Sequence, residues 1–387
     1  MMPGFEVIDK EELAEIKHLF EKSKILFRHS FDHLRNNIYK VKEFEEAFAE
    51  RMKVPHALGV TSGTSALRVA LASFGIKEGD EVITQSFTFV ATVEAIIESR
   101  AIPVITEIDK TLNMDPDDLK NKITHKTKAI IVVHMLGVPA RLKEIKQIAD
   151  NHGIPLIEDT AWGCGGCYEN IPLGTYGDIG TYSFDFAKTM TTGEGGMVVF
   201  KDKTLFDKAA AWHDHGHENN PEFPRWEDSR SSSGFNYRMN EMQGAVGLAQ
   251  LKKLDYVVEQ QRINARLIID AISGLPIELR DIPNGSYETA DALVFLVDSN
   301  QTARQCRDAF INAGLGTKIL PEAITWHFAG TWDHMPELVK RNGEDLINAF
   351  PVSLQLLNRS VSLPIAINIV KDFPIKIKEA LISVLQS

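Results

Sequence analysis

Cysteine is scarce: Cys164, Cys167 and Cys306 are the only three in 387 residues. That is too few for a disulfide framework, and an odd count fits a reducing compartment. The C-x-x-C spacing of Cys164 and Cys167 lacks the second ligand pair of a zinc site and the βα context of a redox motif, so it reads as two small residues in a tight glycine loop. Positive charge is also in deficit, with 42 lysines and arginines against 53 aspartates and glutamates and a formal net charge of -11. Such a surface is ill suited to nucleic acid or an anionic membrane, and any anionic ligand must be met by a local pocket. No run of about 18 apolar residues occurs. The opening M-M-P-G-F-E-V-I-D-K has neither the basic nor the apolar part of a signal peptide, so a cytoplasmic protein is expected. Internal repeats and low-complexity tracts are missing too.

What is present is a globular composition, 44% hydrophobic and 25% charged, in a chain long enough for two domains. The first 50 residues read as helical. Apolar β-type runs then recur at 81–84, 102–108, 129–134, 155–158, 180–184 and 197–200, several with helical segments between them. This alternation predicts an α/β fold, a mostly parallel sheet covered by helices, with ligands beyond the carboxyl ends of its strands. A long helix is expected after Asn240, capped by that residue with Gln243, with Gly247, Leu251, Leu254 and Val258 along one face. A strand over 292–297 and a helix over 302–313 predict a smaller C-terminal α/β domain, with the large domain covering 1–255 and the small one 256–387.

The chemistry concentrates in 181–197, T-Y-S-F-D-F-A-K-T-M-T-T-G-E-G-G-M. Lys188 follows an apolar strand and precedes a glycine turn. A desolvated amine there loses its charge and becomes nucleophilic, as a Schiff-base lysine must, although a solvated loop charge has the same local sequence. Gly63, Thr64 and Ser65 open a helix whose apolar positions are Leu67, Ala70, Leu71 and Phe74. Free N–H groups, a glycine and two hydroxyls at a helix start suit a phosphate monoester, although taken alone the segment reads first as a plain N-cap. Asp159 closes an apolar run, where burial makes an unpaired carboxylate costly. It needs a cation, which could be a protonated pyridine nitrogen or a structural partner. Phe89, just past another strand, either stacks on a flat ring or belongs to the core. Three alternate histidines, His213, His215 and His217, suggest a metal but have no securely placed carboxylate or cysteine ligand, and no metal site is expected.

These segments together resemble the DegT/DnrJ family of sugar aminotransferases within the fold type I pyridoxal phosphate enzymes. The resemblance runs through S-G-T-S-A-L (62–67), S-F-T-F-V-A-T (86–92), I-E-D-T-A (157–161), G-D-I-G-T-Y-S-F (177–184) with Lys188, G-E-G-G (193–196), H-G (215–216) and F-N-Y-R-M-N (235–240). It implies pyridoxal 5'-phosphate as cofactor, Lys188 as the lysine bonded to it and Asp159 on its pyridine nitrogen. It further implies Gly63, Thr64, Ser65 and Ser183 on its phosphate and Phe89 on its ring. Asn236 would reach the phosphate of the other subunit, which makes a homodimer with shared sites. Trp162 departs from the pattern, since the family has glutamine or histidine near the pyridoxal hydroxyl and an indole donates one N–H at most.

The family resemblance implies amino transfer from L-glutamate to a keto or aldehyde sugar. The acceptor expected first is the free acidic sugar 3,8-dideoxy-8-oxo-manno-octulosonate, aminated at C8 for lipopolysaccharide. Arg28, Arg225 and Arg230 are the candidates for its carboxylate, and His327 for its hydroxyls. A nucleotide-linked 4-keto-hexose is the alternative acceptor. A pyridoxal-binding regulatory protein without turnover is the alternative of another class.

Overall fold

The computed structural model describes residues 3–386. Seven strands form the central sheet: β1 (His56–Val60), β2 (Glu81–Gln85), β3 (Ile102–Thr106), β4 (Thr127–Val133), β5 (Leu156–Asp159), β6 (Ile179–Ser183) and β7 (Gly196–Phe200). Their order is β1-β7-β6-β5-β4-β2-β3, parallel from β6 through β3, while β7 runs antiparallel to both β1 and β6. Nearly every strand residue is buried because helices cover both faces, which is why these runs are continuously apolar instead of alternating. The six expected strands are found, and β1, which carries a histidine and a glycine among its five residues, is the one the apolar pattern did not announce.

Helices α1 (Lys10–Lys22) and α2 (Lys40–Met52) precede β1, and α3 (Gly63–Ser73) and α4 (Ala91–Glu98) follow β1 and β2. Helix α5 (Glu241–Ile272) is capped as expected, by an Asn240 and Gln243 capping box. It crosses residue 255 without a break and packs on α1 and α2 at one end and on α7 (Phe373–Leu385) at the other. Gly247 explains the close packing on α2, since a β-carbon there would lie 2.5 Å from the Phe44 ring. Beyond α5 a second sheet, β8 (Glu278–Leu279), β9 (Ala292–Leu296) and β10 (Ser360–Pro364), carries α6 (Asn300–Asn312) and α7 over its own apolar cluster around Phe295, Phe310 and Ile377. A further cluster that includes Phe87, Trp162, Phe328 and Trp332 joins this small lobe to the carboxyl ends of β3 and β4. The site lies against that junction.

Candidate active site

A cavity of about 400 Å³ opens beyond the carboxyl ends of β4, β5 and β6, at the start of α3. Asp159 is the last residue of β5 and is only 6% exposed. Its carboxylate accepts from Thr92 Oγ1 at 2.9 Å and from the Ala161 N–H at 3.2 Å. Burial still pushes its pKa up, because neither neutral donor replaces the lost water. Lys188 follows β6 through a turn closed by Asp185, which accepts from the Ala187 N–H at 3.0 Å. Its Nζ stands 3.3 Å from the centroid of the Trp162 ring. Burial, helped by Lys318 and opposed by Asp291, Asp185 and Asp159, takes the amine down to about 8. A lysine in that state has a neutral, nucleophilic fraction of roughly a tenth at pH 7.

The α3 N-terminus faces the same cavity with Ser62, Gly63 and Thr64. Gly63 packs so tightly on β6 that a β-carbon there would lie 2.7 Å from Ser183 Cβ. The first turn of α3 and the Ser183 side chain are thereby brought together at the cavity wall, with helix N–H groups and two hydroxyls available to an anion. Ser65 departs from expectation. Its hydroxyl accepts from the Ser62 N–H at 2.8 Å and its own N–H donates to Ser62 Oγ at 3.1 Å, closing a capping box away from the cavity. The S-x-x-S spacing of 62 and 65 was the signal for that box.

Phe89 lines the cavity, lies parallel to Trp326 at 6.2 Å and is 39% exposed, which leaves ring surface free for a ligand. Trp162 and His327 line it too, both 8% exposed. His327 Nδ1 lies 2.8 Å from the Ala323 carbonyl and so carries the proton. Burial takes the ring down to about 4, leaving it neutral.

The remaining expected residues lie outside this chain's cavity. Asn236 is exposed, with its Oδ1 accepting from the Arg238 N–H at 3.4 Å. Arg28 donates to Glu45 at 2.7 and 3.0 Å and to the Gly59 carbonyl at 3.0 Å. Arg225 is engaged with Asp214, which Arg238 and His29 also face. Arg230 is exposed on the 218–233 loop and pairs through its backbone with His217. The histidines of 213–217 diverge, His213 towards the Ala210 carbonyl and His217 towards Asp228. Sequence reasoning did not single out Thr92, which lines the cavity and orients Asp159, or the Asp291–Lys318 pair, which stands by the Trp162 ring outside the cavity lining. Thr92 closes the quoted S-F-T-F-V-A-T segment. The pair carries no local signal.

The donor set suits pyridoxal 5'-phosphate. A buried carboxylate with no ion-pair partner among the described residues, a lysine of depressed pKa and an anion-ready helix start share one cavity, matching the cofactor's ring nitrogen, aldehyde and phosphate. The profile of the DegT/DnrJ/EryC1/StrS aminotransferase family matches residues 30–381. A GDP-perosamine synthase of Vibrio cholerae is 33% identical over 327 residues, 84% of this chain and 85% of that protein. The spore coat polysaccharide biosynthesis protein SpsC of Bacillus subtilis (strain 168) is 31% identical over 375 residues, 93% of this chain and 90% of its own. Among solved structures, an aminotransferase from Psychrobacter cryohalolentis superposes with a TM-score of 0.85 at 26% identity, covering 98% of both chains.

Proposed function

The chain belongs to the DegT/DnrJ/EryC1/StrS aminotransferase family and is a pyridoxal phosphate-dependent sugar aminotransferase, and from that premise we propose that Lys188 and Asp159 carry its chemistry. The observation that carries this reading is their convergence on one cavity, with Lys188 depressed to about 8 and Asp159 buried with no ion-pair partner among the described residues. Pyridoxal phosphate, when bound, supplies an aldehyde carbon for an incoming amine and a ring that takes up an electron pair. Lys188 would hold the cofactor and, neutral beside the Trp162 ring, would carry a proton between donor and cofactor. Asp159, fixed by Thr92, would keep the ring nitrogen protonated. The α3 start and Ser183 would hold the phosphate, and Phe89 and Trp162 would exclude water around the ring. Asn236, exposed and outside its own chain's cavity, is assigned to the phosphate of a partner's site, which makes the enzyme a homodimer.

The donor is L-glutamate in this reading, and the acceptor a keto or aldehyde sugar. We place 3,8-dideoxy-8-oxo-manno-octulosonate first. A cavity of about 400 Å³ is near the lower end for ligand pockets, so it suits the cofactor with a single sugar. The GDP-perosamine synthase relative favours a nucleotide-linked 4-keto-hexose as the second reading, its nucleotide lying outside the cavity. The deciding experiment converts the enzyme to its amino form with L-glutamate and offers each sugar in turn. Return of the cofactor's original visible band identifies an acceptor. Faster return with a GDP- or dTDP-linked 4-keto sugar than with the octulosonate would reverse the order of the two, and no return with any sugar would defeat both.

A further inference from the structure

Trp162 stands where the two lobes meet, and its ring is flanked by two amines. Lys188 Nζ is 3.3 Å from the ring centroid and Lys318 Nζ is 4.8 Å from it. Both distances run to one point, so the two amines are no more than about 8 Å apart. Lys188 comes from the turn after β6. Lys318 belongs to the small lobe, between α6 and β10, where its N–H donates to the Ser362 carbonyl at 2.9 Å. Two cations this close in an apolar wall are costly unless an anion stands beside them. Asp291 is that anion. It is 1% exposed, its Oδ2 lies 2.5 Å from Lys318 Nζ, and its buried Oδ1 has no hydrogen-bond partner among the described residues. Two residues earlier Thr289 donates from Oγ1 to the Trp162 carbonyl at 3.0 Å and from its N–H to the Gly137 carbonyl at 3.1 Å. One short segment, 289–291, thus grips the Trp162 backbone and fixes the cation behind its ring.

We propose that Asp291 and Lys318 are positioning residues: the pair seats Trp162 beside Lys188 and sets the electrostatic potential at the Lys188 nitrogen. The charged groups acting on that nitrogen are Asp291, Lys318, Asp185 and Asp159, with His327 neutral nearby. Asp291 is the foremost of the anions that help the amine keep its proton, and Lys318 opposes it. The pair is bound into the small-lobe sheet, where the Ile365 N–H donates to the Asp291 carbonyl at 3.2 Å. The field at Lys188 is therefore partly a property of the small lobe. This rests on the reading of Lys188 as the reacting amine.

The test is a pH titration of the visible absorbance of the cofactor-lysine linkage in the holoenzyme, with no substrate present. Asp291→Asn should lower the midpoint and Lys318→Met should raise it, while Lys318→Arg should keep the wild-type value. For Lys318, a unit charge at the upper bound of about 8 Å, with an effective dielectric constant between about 20 and 80, moves the midpoint by at least about 0.4 to 1.5 pH units. Should Asp291→Asn fail to fold, the contrast between Lys318→Met and Lys318→Arg decides alone. Unchanged midpoints, shifts of one sign in both charge-removing variants, or a Lys318→Arg enzyme displaced as far as Lys318→Met would each overturn the proposal. Steady turnover in Lys188→Ala would instead remove the reading beneath it, so the two failures are distinguishable.

Discussion

Alanine at Gly63 probes whether the start of α3 holds the cofactor phosphate. The added β-carbon would stand 2.7 Å from Ser183 Cβ and 3.1 Å from its Oγ, whereas ordinary contact begins near 3.4 Å. Both partners are anchored, one in the first turn of a capped helix and the other at the end of a central strand. Relief requires the helix start to retreat by roughly 0.7 Å, the difference between the two distances, and a hydrogen bond near 2.9 Å stretched that far is lost. Losing one bond to a charged acceptor costs about 1.5 to 3 kcal/mol, or a 10- to 150-fold weaker cofactor affinity. Overpacking costs about 1 to 3 kcal/mol, partly offset by up to about 1 kcal/mol from replacing glycine in a helix, so the fold should survive. Cofactor dissociation constants from absorbance titration of wild type and Gly63→Ala, with thermal melts of the cofactor-free proteins, give the readout. An unchanged dissociation constant would refute the cradle.

Asn236→Ala should weaken cofactor retention, and mixing it with Lys188→Ala under subunit exchange should restore part of the activity, since one hybrid site then holds both residues. No recovery with exchange demonstrated would remove the shared site. The half-reaction with saturating L-glutamate should speed up with pH, because Lys188 acts as the neutral amine and loses its proton as pH rises through about 8. Stopped-flow rates should rise about tenfold from pH 6 to 7 and level off above 8; a flat profile contradicts the assignment. Arg28→Ala should destabilise the fold by about 3 to 5 kcal/mol, because it leaves Glu45 buried without its partner. Denaturant unfolding checks this. A wild-type midpoint would mean that Arg28 is free to serve a substrate.

The parts of the site legible in the sequence are those set by local order. Asp159 and Lys188 each follow an apolar run, so the topology of a parallel sheet sends both to the same edge, and Gly63 with Thr64 follows from a helix start. Ser65 was harder to place, because a hydroxyl at the third helical position serves a capping box as readily as a phosphate, and here Ser62 engages it. The arginines illustrate a second limit. Composition says that an acidic chain has spare carboxylates, but not that Glu45 and Asp214 stand beside Arg28 and Arg225. Asp291 and Lys318 were invisible for a third reason. They are far from residue 188 in sequence, and only packing of the small lobe on Trp162 brings them to the amine.

Spectroscopy of Lys188→Ala beside the wild type is the most direct test of amino transfer through Lys188. With L-glutamate and no acceptor, the wild-type holoenzyme should lose its visible cofactor band and release one 2-oxoglutarate per site, then recover the band when an accepted sugar is added. Lys188→Ala should bind the cofactor and remain a folded protein, because the α3 start and Ser183 do not depend on the lysine, yet yield no sustained amino sugar. A wild-type band indifferent to glutamate would mean a cofactor-binding protein without turnover, and multiple turnovers by Lys188→Ala would mean that another residue carries the proton.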